Sequence, residues 1–381
     1  MQVYHDIQEF QPLQNAVVTI GTFDGVHLGH RKIISRLQEL ARQTGGETVI
    51  LTFFPHPRMI LHPEDQNLKL INIISEKAQL LADLGIDHLI ITPFSRDFSN
   101  LSAEEYIREI LVNRIGTKKI VIGYDHRFGK DRTGGLNELQ QFAPVYNYEV
   151  EEISEQDVNE VAVSSSRIRK AILNGDISLA NQFLGYAFFI TGKVIRGDQI
   201  GRTLGYPTAN LFIEESYKLI PADGIYAVTV EGFGLPLVGS NPLLVSEERL
   251  KVKGERPKSS IDNPQPATGN LQPKPEDLNA VNSPPPGEGR GEASENLHLA
   301  PRSPQLFGMA YIGHRPTLNG MTRNIEVNIF DFNQDIYNQA LQMSFHSFIR
   351  HDVKFAGLEE LKQQLGHDKE SVRSYFSPKL S

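Results

Sequence analysis

Between residues 17 and 173 short apolar runs alternate with helical repeats, and this alternation confines the first half of the chain to a doubly wound parallel sheet of the α/β class. The apolar runs fall at 17–20, 48–54, 88–92 and 119–123. Between them Ile33, Ile34, Leu37, Leu40 and Ala41 recur at helical spacing, and 76–84 and 103–114 repeat the pattern. A further helix is predicted at 166–173. Beyond Gly185 strands take over, at 188–194, 224–230, 307–312, 325–332 and 342–350. A last helix at 358–375, with Leu358, Leu361 and Leu365 on its apolar stripe, closes a mostly β second domain. With 381 residues there is room for two cores, and the division is set at 1–185 and 186–381.

One stretch fits neither domain. Residues 240–305 hold eleven of the 22 prolines, include SPPPGEGRGE, and have no aromatic side chain, so disorder is predicted there. Closure entropy grows by only about 0.6 kcal/mol per doubling of loop length. Such an insertion between two strands therefore costs roughly 2 to 3 kcal/mol, which a stable β domain tolerates. A solvated spacer is the simpler reading, and a partner-docking segment the sharper one.

Composition removes several function classes. A formal charge of -8 is wrong for a general nucleic-acid coat, although it allows a local basic pocket. The start has no basic segment followed by an apolar run, and nothing approaches the roughly 20 apolar residues of a membrane span. A cytoplasmic protein with no membrane partner is expected. The absence of cysteine excludes disulfides, thiolate nucleophiles and cysteine-ligated metals, leaving hard cations on oxygen ligands.

The chemistry-bearing motifs fall at element ends. GTFDGVHLGH, residues 21–30, joins the first predicted strand to the first helix, where backbone N–H groups and the helix dipole favour phosphate. Gly21, Gly25 and Gly29 permit a tight turn, while His27 and His30, three apart, can face one ligand. Two imidazoles aimed at an α-phosphate would stabilise charge as pyrophosphate leaves. SSSRIR, 164–169, caps a helix with hydroxyls and carries Arg167 and Arg169, suited to a triphosphate. FFPHP, 53–57, and GYDHRFG, 123–129, both follow strands, at the carboxyl edge where open α/β sheets bind ligands. There Phe54 and Phe128 can stack on a flat ring, and Asp125 can accept a hydrogen bond from it. Each motif alone also suits an ordinary turn or capped helix.

In the second half, GDQIGRTLGYPTAN, 197–210, joins three glycines to a polar end and can form a flap over phosphates. Thr208 and Asn210 offer neutral oxygens to a divalent cation. No GxxxxGK[ST] loop is present. Glu326 sits on an alternating strand, a rigid place from which a carboxylate can activate an alcohol; a solvent-facing strand residue is the plainer alternative.

In this order GTFDGVHLGH, FFPHP, GYDHRFG and SSSRIR resemble the adenylyltransferase module of bacterial bifunctional riboflavin kinase/FAD synthetases. GDQIGRTLGYPTAN, GIYAV, YIGHRPT, IEVNIFDF and FIRHDVKF resemble the kinase module of the same family. The resemblance implies an HxGH-type nucleotidylyltransferase domain followed by a small antiparallel β-barrel with a C-terminal helix. It further implies ATP, riboflavin and FMN as substrates and Mg²⁺ as cofactor. Carried over residue by residue, it makes His27 and His30 contacts to ATP phosphates and gives nucleotide contacts to Gly21, Phe23, Gly25, Gly29, Ser165, Ser166 and Arg169. Phe54, Pro55, His56, Asp125 and Phe128 would seat the flavin. Gly205, Thr208 and Asn210 would hold ATP, the last two with Mg²⁺; Glu326 would be the catalytic base, and Arg350 would lie near the flavin. The family often has Thr at Ser166, Phe at His126 and Glu at Asp352. A nucleotidylyltransferase for another acceptor and a flavin-binding regulatory protein remain as alternatives, and self-association is left open.

Overall fold

The computed structural model describes residues 1–65, 67–154, 163–197, 200–232, 295–296, 305–314 and 323–377. The described residues make up one compact unit. The predicted disorder of 240–305 lies almost wholly outside the described residues.

Six parallel strands form the first sheet: β1 (Gln2–Tyr4), β2 (Ala16–Ile20), β3 (Glu47–Phe53), β4 (His88–Thr92), β5 (Thr117–Gly123) and β6 (Glu149–Ile153). Strands β2 and β4 are buried along their whole length, as expected for a sheet covered on both faces. The spatial order is β1-β4-β3-β2-β5-β6. The chain thus steps from β2 to β3 and β4 on one side, then crosses back to β5 on the other. That reversal opens a crevice beyond the carboxyl end of β2. Within the insertion, β10 (Glu295–Asn296) pairs antiparallel with Gln2 and Val3 on the outer edge of β1, so this part of the predicted loop is strand instead.

Helix α1 (Leu28–Thr44) starts at His27, whose Nδ1 accepts from the His30 N–H, and ends at Gly45 with φ +59°. Helix α2 (Ile74–Asp83) and α3 (Leu136–Tyr146) also connect strands. The predicted helix at 103–114 is a single turn, Ala103–Glu105, continued by a π-helix, Tyr106–Ile115. Helices α4 (Ser165–Leu173) and α5 (Ile177–Leu184) follow; only the first was expected.

The second half is a closed antiparallel barrel in the order β11-β12-β8-β7-β13-β9. Its strands are β7 (Phe189–Ile195), β8 (Ala209–Phe212), β9 (Gly224–Glu231), β11 (Leu306–Gly313), β12 (Asn324–Ile329) and β13 (Ala340–Arg350). The predicted strand 325–332 stops at Ile329 because Asp331 takes φ +54°. Helix α6 (Leu358–Phe376) packs on the barrel through Asp368, Val372 and Phe376, while Leu358, expected on its apolar stripe, is 61% exposed. The docked face is set nearer the helix end by Arg350, whose guanidinium holds the buried Asp368 carboxylate through two hydrogen bonds of 2.8 and 2.7 Å.

The two sheets do not form two isolated cores. The barrel's apolar cluster includes Ile168, Ile172, Ile177 and Leu184 from α4 and α5, and Ile71 from the first half. A buried ion pair reinforces the junction. Lys218, between β8 and β9, donates to Glu76 on α2 and to the carbonyls of Ile71 (2.6 Å) and Phe189 (2.9 Å). Glu76 also accepts from the N–H groups of Ile73 (3.1 Å) and Thr191 (3.0 Å). With the Lys218 side chain 0% and that of Glu76 2% exposed, neither charge has water to fall back on. Glu76→Gln strands the ammonium in the interior and is expected to cost about 3 to 5 kcal/mol. Urea unfolding of the variant against the parent checks this.

Candidate active sites

The crevice beyond β2 is lined by a contorted turn. Phe23, Gly25 and Val26 have φ of +46°, +90° and +37°, and the two non-glycine residues hold that strained conformation because their side chains are buried. A Cβ on Gly25 would come within 2.9 Å of Ile71. The turn stacks the rings of His27 and His30 at 3.7 Å with 15° between their planes, and packs Phe23 against His30 at 4.9 Å.

Both imidazoles are neutral at pH 7. Burial pushes His27 down to about 4 against the opposing pull of Asp24, and burial with the charges of His27 and Lys77 holds His30 well below its ordinary value. His30 Nδ1 is enclosed and has no hydrogen-bond partner among the described residues. His56 caps the short helix Pro57–Leu61 through Nδ1, accepting from Arg58 N–H at 3.1 Å, and burial lowers it also to about 4. The pair is thus equipped to donate or accept single hydrogen bonds, with the positive charge coming from elsewhere.

What organises the turn is Asp24, which the motif reading passed over. Its Oδ1 accepts from the N–H groups of Ile71 (2.9 Å) and Asn72 (3.4 Å), and its Oδ2 accepts from Arg169 at 2.6 Å. Its carbonyl accepts from the Ser165 hydroxyl at 2.9 Å. Asp24 therefore joins GTFDGVHLGH to SSSRIR, and His56 lies close enough to feel Asp24, Lys77 and Arg169. Ser164 supplies the helix cap and Ser166 is exposed. Lys77 is the other unexpected residue; an amphipathic helix ordinarily turns lysine outward, yet this one is 4% exposed and donates to Thr22 O at 2.7 Å.

The flavin-side expectations fare differently from one another. Phe54 precedes a cis bond to Pro55, and its ring meets Tyr217, from the barrel half, at 5.2 Å. Asp125 is exposed on the turn after β5. Phe128, expected to present a stacking face, is 7% exposed and packs with Tyr106 and His126.

The second constellation stands on neighbouring barrel strands. Register pairs Glu326 of β12 with Asn210 of β8. Thr208 donates its hydroxyl to Glu326 Oε2 at 2.9 Å and Asn324 donates to Oε1 at 2.5 Å. Asn328, two residues further on the same face, donates to Pro207 O at 2.7 Å and so holds the PTAN turn in place. Gly197 lies so close to Asn210 that a Cβ there would be 2.3 Å from Asn210 Nδ2, while Gly205, at φ +85°, has open space around it. Arg350 is not part of this group: both arms of its fork are taken by Asp368, and Nη1 donates to His351 O at 2.9 Å.

Two known families match the chain, one over the parallel-sheet half and one over the barrel half. The FAD synthetase family matches residues 9–167, and the riboflavin kinase family residues 184–376. The chain belongs to the bifunctional riboflavin kinase/FMN adenylyltransferase family. A member from Listeria monocytogenes is 32% identical over 364 residues, covering 95% of this chain and 93% of that one. One from Bacillus subtilis is 31% identical over 379 residues, covering 98% and 96%. One from Escherichia coli K12 is 29% identical over 365 residues, covering 96% and 94%. A crystal structure from Streptococcus pneumoniae, named as a macrolide-efflux protein, superposes with a TM-score of 0.71 at 27% identity, covering 97% of this chain and 98% of that one. Among the described residues of the present chain no helix is long and apolar enough to cross a membrane.

The depressed His27 value has a measurable consequence. Its folded value of about 4 lies below the ordinary 6.5, so the unfolded chain takes up a proton first as pH falls. The contribution is whole above about pH 6.5 and is lost progressively toward pH 4. His27→Asn keeps a helix cap. The fall in urea midpoint from pH 7 to pH 5 is expected to be smaller in that variant than in the parent.

Proposed function

We propose that the protein phosphorylates riboflavin to FMN with ATP in residues 186–381 and adenylylates FMN to FAD in residues 1–185, releasing pyrophosphate. The observation that carries this reading is the coexistence of both constellations, the Asp24-organised turn and the Thr208–Glu326 pair, within one chain matched by both families.

In the barrel, Glu326 takes the proton of the riboflavin 5′-hydroxyl as that oxygen attacks the γ-phosphate, and ADP leaves. Asn324 and Thr208 fix the carboxylate from either side, so the base is presented in one orientation. Thr208 and Asn210 fit Mg²⁺, a hard cation that accepts neutral oxygens and keeps several waters. Bound there, the cation would neutralise charge on the ATP phosphates. Gly205, in open space with positive φ, allows the flap to change shape over the nucleotide.

In the parallel sheet, the FMN phosphate attacks the α-phosphate of ATP. His27 and His30, neutral and stacked, hydrogen-bond the transferring group, and the N-terminus of α1 adds its dipole. Ser165 and Arg169, docked on Asp24, fix the nucleotide side of the turn, with Ser166 exposed beside them. Phe54, Pro55, His56 and Asp125 border the flavin side, with Phe128 supporting the turn from beneath. ATP use and the lack of cysteine fit a cytoplasmic enzyme.

Chromatography of a mixture with riboflavin, ATP and Mg²⁺ tests the whole reading; absence of both FMN and FAD refutes it. Glu326→Gln is expected to lower riboflavin phosphorylation about 10²- to 10⁴-fold and to leave adenylylation of supplied FMN running. Conversely, His30→Ala is expected to let FMN accumulate, and an unchanged FAD yield would remove His30 from the reaction.

A further inference from the structure

Two lysines are buried near the junction of the halves, and they are not alike. Lys218 has a carboxylate and two carbonyls around it. Lys77, next in sequence to that same carboxylate residue Glu76, has Thr22 O at 2.7 Å, the Thr52 hydroxyl at 3.5 Å, and, among the described residues, no carboxylate within ion-pair distance. At 4% exposure its ammonium is almost as dry as that of Lys218. A charge buried with one good acceptor is a cost to the folded protein.

The position of this charge explains what offsets the cost. Thr22 belongs to the turn after β2, and Thr52 lies at the carboxyl end of β3, so the ammonium sits at the floor of the crevice. Its field reaches both His30 and His56. Beside it, His30 Nδ1 is enclosed and unpartnered, a second polar group left open at the same place. The two histidines are neutral, and Arg169 is already paired with Asp24. Among these groups Lys77 is the cation with no carboxylate in direct contact; it feels only the field of Asp24, which Arg169 already pairs.

We propose that Lys77 is the counter-charge for the phosphate chain in the first site, acting through the Thr22 turn and His30 to position the triphosphate and to hold the departing pyrophosphate. The proposal rests on the adenylyl-transfer reading of that site and adds to it the source of positive charge. Burial also lowers the Lys77 ammonium to about 8 against the opposing pull of Asp24, so the counter-charge is present at pH 7 and fades as pH rises past 8.

Inorganic pyrophosphate is the probe, titrated calorimetrically into the full-length protein and into Lys77→Met and Lys77→Arg. Exchange of an unpaired buried charge for an apolar chain of similar length is neutral or stabilising, so the melting temperature of Lys77→Met should equal or exceed that of the parent. Its affinity for pyrophosphate should fall at least about tenfold, with riboflavin phosphorylation within about twofold of the parent because the barrel site does not contain Lys77. Unchanged pyrophosphate affinity in Lys77→Met overturns the proposal, and so does a variant that unfolds, since the lysine would then be a structural prop. In the pH profile of FMN adenylylation, kcat/KM should drop above about pH 8 in the parent, and that limb should be missing in Lys77→Arg. A limb common to both also overturns it. If the parent makes no FAD, the adenylyl-transfer reading fails by itself, whereas the pyrophosphate titration still decides whether Lys77 is a phosphate-binding charge.

Discussion

The buried pairing of Glu76 with Lys218 is the constraint on which the arrangement of the molecule depends. A carboxylate in the interior must find several donors, and Glu76 finds them in three parts of the chain: its own helix cap at Ile73, strand β7 at Thr191, and the β8–β9 connection at Lys218. Meeting that requirement fixes the barrel against α2. It also fixes the stretch from Leu70 to Asn72, since Leu70 donates its N–H to Tyr217 O and accepts from Leu219 N–H, both in the connection that carries Lys218. Asp24 in turn takes its hydrogen bonds from Ile71 and Asn72. The strained turn that presents His27 and His30 is therefore held from the side on which the barrel docks.

Tyr186 makes the same connection from the other end of the turn. Its hydroxyl donates to Gly25 O at 2.7 Å and meets Asn72 Oδ1 at 3.2 Å, and it sits where α5 hands over to the barrel. Phe54 with Tyr217 adds an aromatic contact from the flavin side. The first site is thus built by residues of the first half but buttressed by the second. Its positive φ angles at Phe23 and Val26, each a cost in isolation, are sustained by these contacts.

Electrostatically the two sites use opposite strategies. The barrel site gathers a carboxylate, hydroxyl and amides on a rigid strand pair, an oxygen-rich arrangement suited to a cation and to a base. The sheet site removes charge from its histidines by burial and keeps its cations at fixed stations, one paired at Asp24 and one open at Thr22. With its imidazoles neutral at pH 7, the site offers a phosphate hydrogen bonds from the histidines and fixed charge from its buried cations.

Periodicity and motif order by themselves determined the alternating α/β half, the switch to strands beyond Gly185, the seating of His27, His30, Ser165 and Thr208 at element ends, and that of Glu326 on a strand, because burial on two sheet faces and turn chemistry are local properties of sequence. The short strands Gln2–Tyr4, Glu149–Ile153 and Ala209–Phe212 escaped, since edge position and barrel closure depend on partners distant in the chain. Only the tertiary structure decided which charges are inside. Asp24, Glu76, Lys77 and Lys218 look like surface residues in any local window, and Arg350 looks free to meet a ligand until Asp368 is seen to hold it. A charge goes inside according to what the folded chain brings within hydrogen-bonding reach, and that is fixed only when the sheet and the barrel meet.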